Sequence, residues 1–113
     1  MAVCAALAAQ GPLLLGGDSA GGGLSLSTAL ALRDTGRPLP AALLLLSPWA
    51  DIAVPDDAPA PPRGEAMLSA GWARACGQAY RRGHDPREAG LSPLRADLRG
   101  LPPVLIQAGT DEM

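Results

Sequence analysis

With 113 residues, 48% of them apolar, the chain is long enough for one small core and no more. Its net charge of −2, without a long run of like charge, excludes the electrostatic footprint of a nucleic-acid binder or of a protein held on an anionic membrane surface. Aromatic residues make up only 3% and Phe is absent, so Ala, Leu and Val must fill the interior. Cys4 and Cys76 have neither a metal-ligand spacing nor that of a disulfide framework, which fits a reducing cytoplasm. Residues 1–15 are small and apolar, but no Lys or Arg precedes them and they run straight into a glycine cluster, which argues against a secretory leader. No apolar run is long enough to span a bilayer.

In chain order, residues 1–10 are Ala-rich and predict the end of a helix, stopped by Gly11-Pro12. Residues 13–16 form a short, wholly apolar strand; continuous apolarity is the pattern of a strand buried on both faces. Residues 20–34 predict a helix, with Leu24, Thr28 and Ala31 on one side and the i,i+4 pair Leu26 and Leu30 beside it. Arg33, Gly36 and Pro38 mark its stop. Residues 42–46 are a second apolar strand, so strand, helix and strand make one βαβ unit with parallel pairing. Residues 51–64, with Pro55, Pro59, Pro61 and Pro62, predict a loop. Ser69 is placed to cap a helix reaching about Arg82, with Trp72, Cys76, Ala79 and Tyr80 on one face. Residues 83–103 read as irregular, and residues 104–108 as a third apolar strand, followed on a loop by Asp111.

The chemistry concentrates in Gly16-Gly17-Asp18-Ser19-Ala20-Gly21-Gly22-Gly23, between the first strand and the helix that follows it. Gly17-x-Ser19-x-Gly21 is the pattern of a nucleophile elbow, in which a strand reverses sharply into a helix and leaves a serine at the apex. A Cβ at Gly17 or Gly21 is expected to collide with the returning backbone. A serine hydroxyl is a poor nucleophile at neutral pH and needs a base, usually His, which in turn needs an acid to hold its tautomer. Ser19 supplies the nucleophile position and the backbone N–H of Ala20 one oxyanion donor. Asp111 lies just past the end of a parallel strand and follows the serine, as the order Ser…Asp…His requires. Asp18 and Glu112 read as local hydrogen-bond formers.

Gly17-Asp18-Ser19-Ala20-Gly21-Gly22 resembles the nucleophile motif of the hormone-sensitive-lipase-like group of α/β-hydrolase esterases. The resemblance continues through Leu45-Leu46-Ser47-Pro48-Trp49-x-Asp51 and Ser92-Pro93-Leu94-x-Ala96-Asp97-Leu98, and ends with Leu101-Pro102-Pro103-x-Leu105-Ile106-x-x-Gly109-x-Asp111-Glu112. It implies an α/β fold: a partial α/β-hydrolase of three parallel strands with flanking helices, the Trp72 helix belonging to the region that roofs the acyl pocket. It also implies a serine carboxylesterase acting on small-molecule esters with short to medium acyl chains, with catalytic Ser19 and Asp111, oxyanion-binding Ala20, and no metal or organic cofactor. Two features depart from the group. Nothing here matches its His-Gly-Gly-Gly motif, and no histidine follows Asp111. Residues 1–113 are therefore expected to be the central part of a single hydrolase domain, unstable and inactive as this chain alone. His84 is the sole histidine; it precedes the acid and sits in a Gly-His-Asp-Pro turn, so it is read as a surface residue.

Two further readings remain open. A hydrolase-fold chain without its histidine resembles the small-molecule receptors related to this group, or a decayed gene remnant. A phosphate-binding loop fits poorly, because no Lys-Ser/Thr follows the glycines and their spacing does not give G-x-G-x-x-G. Nothing in the sequence speaks to oligomeric state.

Overall fold

The computed structural model describes residues 2–55, 57, 68–110 and 112. Its elements follow in the order α1 (Ala2–Ala8), β1 (Leu14–Asp18), α2 (Ala20–Asp34), β2 (Ala42–Leu46), α3 (Ala70–Arg81), a 3-10 turn (Pro93–Arg95) and β3 (Val104–Gln107). The three strands form one parallel sheet in the order β1-β2-β3. Most of the loop expected over residues 51–64 lies outside the described residues, as does Asp111.

The register decides what the core contains. Leu15 pairs with Leu43 and Leu43 with Val104; Gly17 pairs with Leu45 and Leu45 with Ile106. Paired residues point to the same side of a sheet, and α2 lies on this side. Leu43 and Leu45 are fully buried there against Leu26 and Ala29 of α2, with Leu15, Ala50 and Leu101 packed around them. Burial of a leucine contributes about 1.5–3 kcal/mol, so this layer is the main apolar contribution to stability. The opposite face behaves differently from the sequence expectation of strands buried on both sides. Leu14 is 72%, Leu44 45% and Leu105 65% exposed, and no described element covers them.

Helix α2 keeps its predicted bounds, but its buried stripe runs through Gly22, Ser25, Leu26, Ala29 and Leu30, and Leu24 faces outward. It ends as the sequence requires. Gly36 takes φ +63, the Arg37 N–H donates to the Leu32 carbonyl at 2.8 Å, and the Gly36 N–H donates to the Arg33 carbonyl at 3.0 Å. These are the two hydrogen bonds of a Schellman stop. The Arg33 guanidinium then reaches the carbonyls of Asp97 and Arg99, the latter at 2.7 Å, and ties the approach to β3 against the end of α2.

Ser69 caps α3 by accepting from the Trp72 N–H at 3.2 Å. The helix packs on its small residues: Ala73 and Gly77 are buried, whereas Trp72 and Tyr80 are more than half exposed. A Cβ on Gly77 would lie 3.1 Å from the Ile52 carbonyl oxygen, so glycine sets how closely α3 approaches the chain leaving β2. The face that carries Trp72 and Tyr80 lies to the side of that contact.

The open sheet face has a measurable consequence. A polypeptide of these 113 residues alone is expected to self-associate through Leu14, Leu44 and Leu105. Light scattering with thermal unfolding checks this; a monomer with a cooperative transition is the contrary result.

Candidate active site at the turn between β1 and α2

Ser19 occupies the junction of β1 and α2 with φ 50 and ψ −115, a backbone conformation that costs a non-glycine residue about 1–3 kcal/mol. Three hydrogen bonds hold it. Its N–H donates to the Leu46 carbonyl at 2.9 Å, and its own carbonyl accepts from the Gly23 N–H at 3.1 Å and from the Trp49 N–H at 2.9 Å. The side chain makes no capping bond to α2, so the hydroxyl is not consumed by the helix it precedes. Ala20 is the first residue of α2 and is exposed, and its N–H has no intrahelical acceptor. Asp18, the last residue of β1, is exposed.

The glycines divide in a way that corrects the sequence expectation. A Cβ on Gly17 would overlap the Gly21 carbonyl, as expected, and would lie 2.8 Å from the Gly22 nitrogen. A Cβ on Gly21 would meet nothing within 4 Å. Gly21 is exposed and borders a cleft. The demand for glycine falls on its neighbours instead. A Cβ on Gly22 would sit 2.8 Å from the Pro48 Cβ, and one on Gly23 would overlap the Trp49 carbonyl oxygen. Sequence reasoning passed over Gly23; the signal available was the unbroken glycine run in the first turn of α2.

The cleft, of ≈ 410 Å3, begins at Ala20 and Gly21 and is walled by Leu24, Trp49, Ile52, Trp72, Cys76 and Tyr80. The Trp72, Cys76 and Tyr80 face of α3 forms one wall of it. His84 is not among the cleft residues; it is exposed in the turn after α3, its Nδ1 3.5 Å from a Glu88 carboxylate oxygen. Asp111 lies outside the described residues, so its relation to Ser19 is not part of this geometry.

Behind the turn, residues 49–54 are clasped by the 3-10 turn. Arg95 pairs with Asp51 at 2.8 Å, the Leu94 N–H donates to the Ala50 carbonyl at 3.1 Å, and the fully buried Ser92 hydroxyl accepts from the Ile52 N–H at 2.9 Å. The Ser92 proton goes to the Pro86 carbonyl at 2.6 Å. Trp49 donates its ring Nε1–H to the Asp51 carbonyl at 2.8 Å, and the Asp51 carboxylate accepts from the Ala53 N–H at 2.9 Å. Burial, the largest influence, pushes the Asp51 carboxyl up; hydrogen bonding from Arg95 and the Ala53 N–H, the polar Ser92 hydroxyl and the Arg95 charge together outweigh it and hold the group below its usual 3.8.

Comparison with known proteins agrees with this geometry. Residues 3–113 match the alpha/beta hydrolase fold family. The chain is 44% identical over 104 residues to an acetyl-hydrolase of Streptomyces hygroscopicus, covering 91% of this chain and 35% of that protein. It is 42% identical over 99 residues to a putative acetyl-hydrolase of Mycobacterium tuberculosis, covering 88% and 32%. Among solved structures, an esterase from the bacterial hormone-sensitive lipase family superposes with a TM-score of 0.75 at 40% identity, over 88% of this chain and 34% of that one. The esterase EstE5 superposes with a TM-score of 0.80 at 38% identity, over the same shares. The chain belongs to the α/β-hydrolase fold family. It spans about a third of the length of these relatives.

Two predictions follow from the packing of the turn. Gly21→Ala is expected to keep or raise stability, by up to about 1 kcal/mol from helix propensity, whereas Gly23→Ala is expected to lower it by about 1–3 kcal/mol through overpacking. Thermal or urea unfolding of the two variants decides it. The Asp51 contribution has a defined sign. A lowered carboxyl value means stability that is present above 3.8 and lost as pH falls through the native value. The stability gap between the wild type and Asp51→Asn is therefore expected to be constant from pH 7 to about 5 and to narrow below 3.8, as unfolding curves taken across that range would show.

Proposed function

We propose that these residues carry the nucleophile, one oxyanion donor and the orienting acid of a serine carboxylesterase acting on small-molecule esters with short to medium acyl chains. In this reading residues 1–113 are the central part of a single hydrolase domain. The observation that carries it is Ser19, which keeps a costly left-handed backbone at a strand-to-helix turn while its hydroxyl caps nothing. A serine kept only for shape would have no need of that conformation.

The Ser19 Oγ attacks the acyl carbonyl and gives its proton to a histidine other than His84. The new O–C bond forms as the carbonyl π pair moves onto oxygen. The Ala20 N–H stabilises that oxyanion, and one such donor is typically worth about 2.7–4 kcal/mol of barrier. Collapse expels the alcohol, which takes the proton, and leaves an acyl-serine that water cleaves to a carboxylic acid. Asp111, just past β3, holds the histidine tautomer. The cleft beside Ala20 and Gly21 offers Leu24, Trp49 and Trp72 to an apolar acyl group, and the acetyl-hydrolase relatives favour its being small. Neither step needs a metal or an organic cofactor. Free Cys4 and Cys76 suit a cytoplasmic setting, and no helix among the described residues is long and apolar enough to cross a membrane.

The test uses the polypeptide in which these residues occur. It is expected to hydrolyse p-nitrophenyl acetate and to be labelled covalently by a fluorophosphonate, with both lost in Ser19→Ala. Saturable ligand binding without labelling or turnover would point instead to a hydrolase-fold receptor.

A further inference from the structure

Ser19 and Ala20 share one peptide unit, and that unit is planar and trans. The direction of the Ser19 carbonyl therefore fixes the direction of the Ala20 N–H, which points the opposite way. The carbonyl is held by two donors. One, the Gly23 N–H, is internal to the first turn of α2; the other, the Trp49 N–H, comes from the chain leaving β2. Trp49 is in turn placed by its ring bond to the Asp51 carbonyl, and the segment around it is fastened to the 3-10 turn through Asp51–Arg95, Leu94 N–H to Ala50, and Ile52 N–H to Ser92. The contact is close enough that a Cβ on Gly23 would overlap the Trp49 carbonyl oxygen, so displacement of this segment reaches the turn directly.

We infer that Asp51 and Arg95 are positioning residues that aim the Ala20 N–H at the developing oxyanion, acting through the Trp49 N–H on the Ser19 carbonyl. Neither Asp51 nor Arg95 is among the residues that line the cleft. Their pairing joins the 3-10 turn to the segment that follows β2, 44 positions apart in sequence for this pair (95 − 51). Because the oxyanion forms only in the transition state, loosening this clasp weakens turnover and leaves ground-state binding nearly untouched. The inference rests on the esterase reading for its kinetic consequence, but not for its structural one.

The experiment compares Asp51→Ala, Arg95→Ala, the double variant and the milder Asp51→Asn and Arg95→Lys in the polypeptide in which these residues occur. Arg99→Ala serves as the control, since among the described residues the Arg99 side chain pairs with the exposed Asp97 carboxylate and not with the clasp. The alanine variants are expected to lose about tenfold to a hundredfold in kcat, with KM changed by less than about twofold. The double variant is expected to fall no further than the worse single one, because both changes open the same clasp. Arg95→Lys is expected to restore most of the rate, Asp51→Asn part of it, and Arg99→Ala to match the wild type. In parallel, the backbone amide resonances of Ala20 and Trp49 are expected to move in Asp51→Asn and Arg95→Ala while those of β2 stay in place. An unchanged kcat in folded variants, or unmoved Ala20 and Trp49 amides, overturns the inference. Should the wild type neither turn over esters nor label at Ser19, the esterase reading fails by itself. The amide shifts then decide the positioning role alone: movement supports it and constancy rejects it.

Discussion

Everything in the site depends on one peptide carbonyl. The Ser19 oxygen accepts from the helix that follows it and from the chain segment after β2, while the Ser19 N–H is donated to Leu46. An L-residue at φ 50 and ψ −115 relaxes unless its surroundings over-determine it, and these three bonds supply that constraint. Each partner depends on the parallel register of β1 and β2. Asp18 lies opposite Leu46, which places the next residue, Ser19, beside the Leu46 carbonyl and brings residues 47–49 over the start of α2. A register slip would therefore remove the strained serine together with the sheet pairing that buries Leu43 and Leu45.

The glycines follow from the same constraint. Two backbones, β1 below and residues 48–49 alongside, approach the first turn of α2 within van der Waals distance, and a Cβ at Gly17, Gly22 or Gly23 would fill the gap. Gly21 borders open space, so its lack of a side chain serves the cleft and not the turn. The glycines of the turn thus separate into three sites of close packing, Gly17, Gly22 and Gly23, and one, Gly21, that keeps space clear beside Ala20. An added methyl at Gly21 relieves no clash and creates none within the fold; what it alters is the shape of the cleft at the point nearest the serine.

Much of the architecture was legible in the residues. The bounds of α2 and β2, the Ser69 cap, the Gly36 stop and the parallel βαβ unit all rest on local chemistry, and the structure shows each where the pattern places it. The turn at Ser19 was legible for the same reason, because few sequences other than glycine flanking a small polar residue tolerate it. What could not be read were contacts between distant segments. Ala73 and Gly77 carry α3 onto the Ile52 region, and no periodicity distinguishes a small-residue face that packs from an aromatic face that lines a cleft. The Asp51–Arg95 clasp lay hidden in a stretch read as irregular, since a 3-10 turn of three residues leaves no periodic trace. The continuous apolarity of the strands was read as burial on both faces, whereas the described chain covers only one.

The relatives are about three times as long as this chain, and among the described residues only the α2 side of the sheet is packed. Yet the residues that shape the Ser19 turn all lie on the packed side or at the carboxyl ends of the strands. Leu46 and Trp49 bond to Ser19 directly, and Asp51 and Ser92 hold the segment around Trp49. Backbone hydrogen bonds and one ion pair thus form the turn from local and mid-range contacts. The bonds to the Ser19 carbonyl set the direction in which the Ala20 N–H points.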